Sequence, residues 1–166
     1  SHNRATGTTA CGGNVLLKGG LEPLYILGLD RDAAGCDSTH VDGLNVANGY
    51  SSNNGGGLCI PDCAGNLKNM VITDNSAEND GGGIYHAGHT VYMEAIVIRK
   101  NQAQRGAGGF LIGHSAEILG DPIVVENIAS KDGGGIALFN AKGIIGFKGK
   151  KLEKPTVLIA NNQAVR

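Results

Sequence analysis

The sequence predicts an all-β chain wound into a parallel solenoid, one short coil stacked on the next. Three observations carry that expectation. Gly57, Gly83, Gly109 and Gly135 close four glycine-rich sets at steps of 26 residues. Asn75-x-Ala77, Asn101-x-Ala103 and Asn127-x-Ala129 keep the same step, and Asn162-x-Ala164 is a fourth copy. Between these markers the apolar runs are short, with no stripe at helical spacing. A fixed period of this size means that each unit buries its apolar face against its neighbours rather than in one globular core.

In chain order, residues 1–40 do not match the repeat. Val15-Leu16-Leu17 and Leu24-Tyr25-Ile26-Leu27 read as strands of an N-terminal cap and irregular first rung. A stacked coil needs such a cap, because its first sheet edge and core end would otherwise stand open. Residues 41–166 carry the repeats. Leu58, Ile84, Phe110 and Ile136 follow the glycines, and Ile60, His86, Ile112 and Leu138 lie two residues on. Alternation puts both columns on the inward face of a first strand. Met70-x-Ile72, Ile96-x-Ile98 and Val124 predict a second inward strand, extended at the two ends by Leu44-x-Val46 and Val157-x-Ile159. Leu67, Met93, Leu119 and Ile145 form a third column. Three short strands per turn, joined by Gly, Asn and Asp turns, give a triangular coil with rungs about 4.8 Å apart.

The markers then have structural work. Asn75, Asn101, Asn127 and Asn162 end one strand, where stacked amides bond to one another and to turn backbone. Ala77, Ala103 and Ala129 suit a corner with a narrow interior. Gly57, Gly83, Gly109 and Gly135 stand where a positive φ or a close approach excludes a Cβ. Asn127 and Asn162 are 35 residues apart instead of 26, which predicts an inserted loop near 147–155, in the basic run Lys148 to Pro155. Arg166 falls where the next glycine triplet is due, so the expectation is a chain truncated at its C-terminus.

Composition narrows the function classes. A net charge of -1 argues against broad binding to nucleic acid or an anionic membrane surface. No apolar run approaches the ~20 residues that span a bilayer, so no direct membrane insertion is expected from this segment. A hydrophobic share of 41% argues against disorder despite 28 glycines. Cys11, Cys36, Cys59 and Cys63 all lie in the first 63 residues. Two disulfides, Cys11–Cys36 and Cys59–Cys63, are the preferred reading for an exported protein. A four-cysteine zinc site is the alternative, but Cys11 and Cys36 lack the usual paired spacing.

Val41-Asp42-Gly43-Leu44-Asn45-Val46-x-Asn48-Gly49, a glycine triplet, and then repeated aliphatic-x-x-Asn-x-Ala and Gly-Gly-Gly-Ile motifs resemble the right-handed parallel β-helix superfamily. The chain is similar in particular to the repeats of polymorphic outer-membrane proteins and related bacterial surface proteins. Ile72-x-x-Asn75, Ile98-x-x-Asn101, Val124-x-x-Asn127 and Ile159-x-x-Asn162 match their Phe-x-x-Asn motif, with an aliphatic residue in place of Phe. The third glycine replaces the Ala of their Gly-Gly-Ala-Ile motif. The resemblance covers residues 41–166. It implies a single-stranded right-handed β-helix, secreted or displayed on a bacterial cell surface. Adhesins, autotransporter-like passengers and polysaccharide-active enzymes share that scaffold.

Two sets of residues offer chemistry. Asp74, Lys100 and Glu126 stack at one edge of adjacent rungs as an acid–base–acid column, which reads equally as a self-neutralising surface ladder. They are the catalytic candidates. Relatives that cut acidic polysaccharides use such groups, often with Ca²⁺, and Ca²⁺ enters here only on that reading; otherwise no cofactor is expected. Asp80, Arg105, Lys131 and Asp132 make a second mixed patch near the glycine turns. His86, His89 and His114 come from neighbouring rungs, with His114 above Gly88, and are candidate zinc ligands. Against that, His86 occupies an inward column of Ile60, Ile112 and Leu138, where a hydrogen-bonded core histidine is the commoner case. Cys59, Tyr85, Leu111 and Ala137 form an outward stripe, and Tyr85 and Leu111 are the candidate contact residues for protein or glycan. The expected function is an extracellular module for adhesion, with a glycan or a host or cell-surface protein as partner. The alternative is a polysaccharide lyase or glycoside hydrolase with its groove on one sheet face.

Overall fold

The structure, a computed structural model, describes residues 41–61, 64–140, 142–146 and 158–165, with the short pieces Arg4–Ala5, Val15–Leu16, Asp30–Arg31 and 39–40. It is an all-β parallel solenoid of about four turns with rungs of about 26 residues, and no helix occurs among the described residues. Most of the expected N-terminal cap, the inserted loop near 147–155 and Cys11, Cys36 and Cys63 lie outside the described residues, though Val15–Leu16 is a strand, paired in parallel with Leu58 and Cys59.

Three sheets wrap the core. A five-stranded sheet stacks Asn45–Ala47, Val71–Thr73, Val97–Arg99, Ile123–Val125 and Leu158–Ala160. Its inward column is Val46, Ile72, Ile98, Val124 and Ile159, as the apolar spacing predicts. A nine-stranded sheet holds both the first and the third predicted strands. In the two middle rungs these fuse into single 11-residue strands, Ile84–Glu94 and Gly109–Leu119. The third sheet is one that the sequence reading treated as a corner. Ser76–Ala77, Gln102–Arg105, Ile128–Asp132 and Gln163–Ala164, with Tyr50–Ser51 and Arg4–Ala5, pair in parallel as a sheet of six. Its strands are only two to five residues long, too short for a period of 2 to stand out in the sequence. Ala77, Ala103 and Ala129 are buried beside Ala107, small where this sheet comes close to the core.

The asparagine ladder is present as expected. Asn101 Nδ2 donates to Asn127 Oδ1 at 3.0 Å and to the Ile72 carbonyl at 3.0 Å. Its backbone N–H also donates to Asn127 Oδ1 at 3.0 Å. Asn75 repeats the pattern onto Asn101, and Asn127 repeats it onto Asn162. Below Asn75 the ladder ends on a glycine, whose N–H donates to Asn75 Oδ1 at 2.9 Å.

One register shift changes the site. The residue beside Gly57 and Gly83 in the stack is Gly108 rather than Gly109. Asn75 to Gly81 and Asn127 to Gly133 are six residues, but Asn101 to Gly106 is five. The pairing of Gln102–Arg105 with Ile128–Asp132 shifts register between Ala103 and Arg105 to absorb the difference. Gly109 therefore takes the inward place of Ile84 and Ile136, and Phe110 pairs with Tyr85 and Ala137 on the outer face. The second inward column becomes Ile60, His86, Leu111 and Leu138, and the third Leu67, Met93 and Ile118. The missing residue is restored at Gly120 and Asp121, both with positive φ, since Glu94 pairs with Leu119 but Val97 pairs with Ile123.

Lys68 and Glu94 sit side by side on the nine-stranded sheet, with Lys68 Nζ 3.0 Å from Glu94 Oε2 and 5.6 Å from the Tyr92 ring centre. The hydrogen bond and charge of Glu94 hold the Lys68 ammonium above its ordinary 10.5. A raised folded pKa means that the pair's small contribution is whole below pH 10.5 and is lost as pH climbs through the higher folded value. In an NMR titration the Lys68 midpoint should lie above 10.5, and Glu94→Gln should lower it. A Lys68 midpoint that Glu94→Gln leaves in place would contradict this assignment.

Candidate functional site

Each coil turns into the nine-stranded sheet through a glycine with positive φ: Gly55 at 66°, Gly81 at 67°, Gly106 at 57° and Gly133 at 64°. The two residues before each of these glycines stack in two neighbouring columns. One column is Asn53, Asn79, Gln104 and Lys131, and the other is Asn54, Asp80, Arg105 and Asp132. Together they line an open groove of about 420 Å³ along the corner. Four rungs at about 4.8 Å make the groove roughly 14 Å long. Its size falls within the usual range of small-ligand sites, though it is open and polar rather than enclosed.

The groove is braced from within. Arg105 Nε and Nη2 donate to the two carboxylate oxygens of Asp80, each at 2.7 Å. Asp80 is almost wholly buried, and its backbone N–H donates to Asn54 Oδ1 at 3.2 Å. Asn79 Nδ2 donates to Asn53 Oδ1 at 2.6 Å. The hydrogen bonds to Asp80 raise the Arg105 pKa above its ordinary value, so the guanidinium stays charged at any working pH. Arg105 also lies 4.8 Å from the centre of the Phe110 ring. Phe110 stacks on Tyr85 at 6.2 Å and on Phe139 at 6.4 Å. The side chain of Gln104 makes no hydrogen bond with any described residue and lies in the lining of both this groove and its neighbour. That second groove, of about 290 Å³, runs over Ala77, Ala103 and Ala129 and is edged by the exposed Ile128 and Val165.

Arg105→Ala is expected to lower stability by about 2 kcal/mol, because it leaves a buried carboxylate unpaired while the half-exposed arginine itself contributes little. Urea unfolding measures this. An unchanged midpoint would mean that Asp80 is not held by this pair.

The predicted site residues divide. Asp80, Arg105, Lys131 and Asp132 come together as expected. The Tyr85–Leu111 contact stripe does not form: Leu111 is buried in the core, and the residue beside Tyr85 is Phe110. Asp74, Lys100 and Glu126 do stack, with Lys100 Nζ 3.9 Å from Glu126 Oε2. Each has a positive φ, 55°, 54° and 58°, and Asn48 and Asn161 continue the column with 59° and 54°. The column is thus a left-handed corner of the coil, with Lys100 and Glu126 half exposed, and it lies apart from the groove. Asn tolerates that conformation better than Lys. Lys100→Asn should therefore raise stability by about 0.5 kcal/mol, since the exposed ion pair it removes is worth little. A lowered melting temperature would count against the corner reading.

His86 is buried in the core between Ile60 and Leu111. Gly88 pairs with Gly113 and Thr90 with Ser115, so His114 lies opposite His89 rather than Gly88. The side chains of His89 and His114 lie outside the described residues. Among the described residues no three His, Cys, Asp or Glu side chains converge as metal ligands. Cys59 is buried and is not a free thiol, and its partner lies outside the described residues. Among the described residues no helix is long and apolar enough to cross a membrane.

The sequence reading missed Phe110 as an outward residue, and Asn53, Asn54, Asn79 and Gln104 as a lining. The signal was present in the dipeptide before each first glycine: Asn-Asn, Asn-Asp, Gln-Arg and Lys-Asp. Searches against protein families, curated proteins and solved structures find no match for this chain.

Proposed function

We propose that this chain is a binding module of an exported β-helix protein, of the polymorphic outer-membrane type, that holds a glycan in the groove along its glycine corner. The observation that carries this reading is the groove itself, lined by four amides and four charged groups drawn in pairs from four successive rungs. Amides and paired charges at regular spacing match the regular hydroxyls of a polysaccharide, since each presents donors and acceptors in fixed directions. On this reading the protein is secreted or held on a bacterial cell surface and acts in adhesion. Its cysteines pair as Cys11–Cys36 and Cys59–Cys63.

Binding is favoured over catalysis by the placement of the acids. Asp80 spends both oxygens on Arg105, and Asp74, Lys100 and Glu126 stand on an exposed corner away from the groove. Neither set offers an uncommitted carboxylate held within the groove for acid–base cleavage. The test is a polysaccharide panel assayed for retention on the protein and, in parallel, for new reducing ends and unsaturated products. Retention without cleavage is expected, with or without Ca²⁺, and should survive Asp74→Asn, Lys100→Met and Glu126→Gln together. Cleavage abolished by that triple variant would overturn the reading in favour of a lyase or hydrolase.

A further inference from the structure

We infer that the groove selects a neutral glycan over an acidic one, an inference that rests on the glycan-binding reading above. The charges decide the ligand class. Asp80 and Arg105 neutralise each other through two hydrogen bonds of 2.7 Å. Lys131 and Asp132 are adjacent in sequence and add to zero. The remaining lining, Asn53, Asn54, Asn79 and Gln104, is uncharged. A uronate or sulfate chain laid here meets one carboxylate for every cation and gains no net attraction, while each of its charges loses hydration. A neutral sugar chain has no such cost.

The mode of contact follows from the aromatic stack. Sugar-binding sites commonly lay a ring face of Tyr or Phe against the sugar. Here Phe110 is only 3% exposed, with Arg105 over its face and Tyr85 and Phe139 stacked beside it. The ring supports the guanidinium, and none of the three stacked rings lines the groove. Recognition in this groove is therefore by hydrogen bonds. Gln104 and Lys131 are its reaching groups, because neither is bonded to any described residue, whereas the Arg105 fork is committed to Asp80. The groove runs along the coil axis, so the ligand lies along the stack and touches one pair of residues per rung.

The test uses the chain as it exists, titrated calorimetrically with a soluble glucomannan, a mixed-linkage β-glucan, polygalacturonate and alginate. Each is run at about 0.1 M and about 1 M salt, where the screening length falls from about 10 Å to about 3 Å. A neutral polysaccharide should bind at least about tenfold more tightly than either polyuronate, with the same affinity at both salts. Gln104→Ala should weaken that binding about tenfold, the loss expected for about 1.4 kcal/mol, with an unchanged thermal melt. Tighter binding of a polyuronate that salt weakens would overturn the neutral-ligand inference and leave the glycan-binding reading in place. Neutral binding untouched by both Gln104→Ala and Asn79→Ala would overturn the assignment to this groove. Binding to none of the four would overturn the glycan-binding reading itself.

Discussion

Gly82→Ala is expected to prevent the chain from folding, while Gly109→Ala is expected to leave it intact. Both glycines belong to the repeating sets that mark the sequence, yet their surroundings differ. A Cβ on Gly82 would lie 2.3 Å from the Gln102 carbonyl oxygen and 2.6 Å from that of Ala107. Both are backbone atoms of the next rung, fixed by ladder hydrogen bonds, so neither can yield without parting the coils. Gly56 and Gly134 are blocked in the same way, at 2.3 Å and 2.2 Å. The fourth member of this column is Ala107, in the rung whose turn is one residue shorter. Gly109 instead occupies an inward place where the neighbouring rungs carry isoleucine, and a Cβ there finds nothing closer than 3.8 Å. Gly109→Ala should change stability by less than about 1 kcal/mol, in either direction, because it adds an ordinary contact and stiffens the unfolded chain. Circular dichroism during heating separates the two. Gly82→Ala should show no cooperative transition, and Gly109→Ala should melt within a few degrees of the parent. Equal behaviour of the two variants would contradict the shifted register.

Asn101→Ala is expected to cost about 3 to 5 kcal/mol. Asn101 is fully buried, and its oxygen accepts from both the backbone N–H and the side-chain amide of Asn75, each at 3.0 Å. Its own amide satisfies the Ile72 carbonyl and Asn127. Truncation removes four buried hydrogen bonds, each worth about 0.5 to 1.5 kcal/mol net, although Asn75 Nδ2 keeps the Val46 carbonyl and Asn127 Oδ1 keeps the Asn101 N–H. The loss is large against the 5 to 15 kcal/mol that typically holds a domain. Asn162→Ala, at the half-buried end of the ladder, should cost clearly less. Urea unfolding of the two variants tests this gradient, and equal losses would show that the ladder does not act through burial.

These two predictions also show how much was legible in the sequence. The period alone was enough for the solenoid, and Asn-x-Ala was enough for the amide ladder, because both depend only on identical residues meeting at a fixed step. The outer face was not legible by the same rule. Counting 26 from Gly83 lands on Gly109, but the chain cuts one residue from the turn before Gly106 and returns it at Gly120 and Asp121. Between those points every side chain changes face, since strands alternate with period 2. That exchange moves Leu111 inside and Phe110 outside, and brings Arg105 over an aromatic ring instead of an open surface. The spacing of the first glycines, 55, 81, 106 and 133, held the clue. The acid–base column of Asp74, Lys100 and Glu126 was legible as a column, but not as a left-handed corner, because φ is invisible where the residue is not glycine or asparagine.

The location of the ligand is the most direct test of the whole account. Backbone amide shifts of ¹⁵N-labelled protein, followed as a neutral polysaccharide fragment is added, report it residue by residue. Shifts should concentrate at Asn53, Asn79, Gln104, Arg105 and Lys131, along the glycine corner, with Asp74, Lys100 and Glu126 unmoved. Shifts gathered at that acid–base corner, with the groove silent, would contradict that placement.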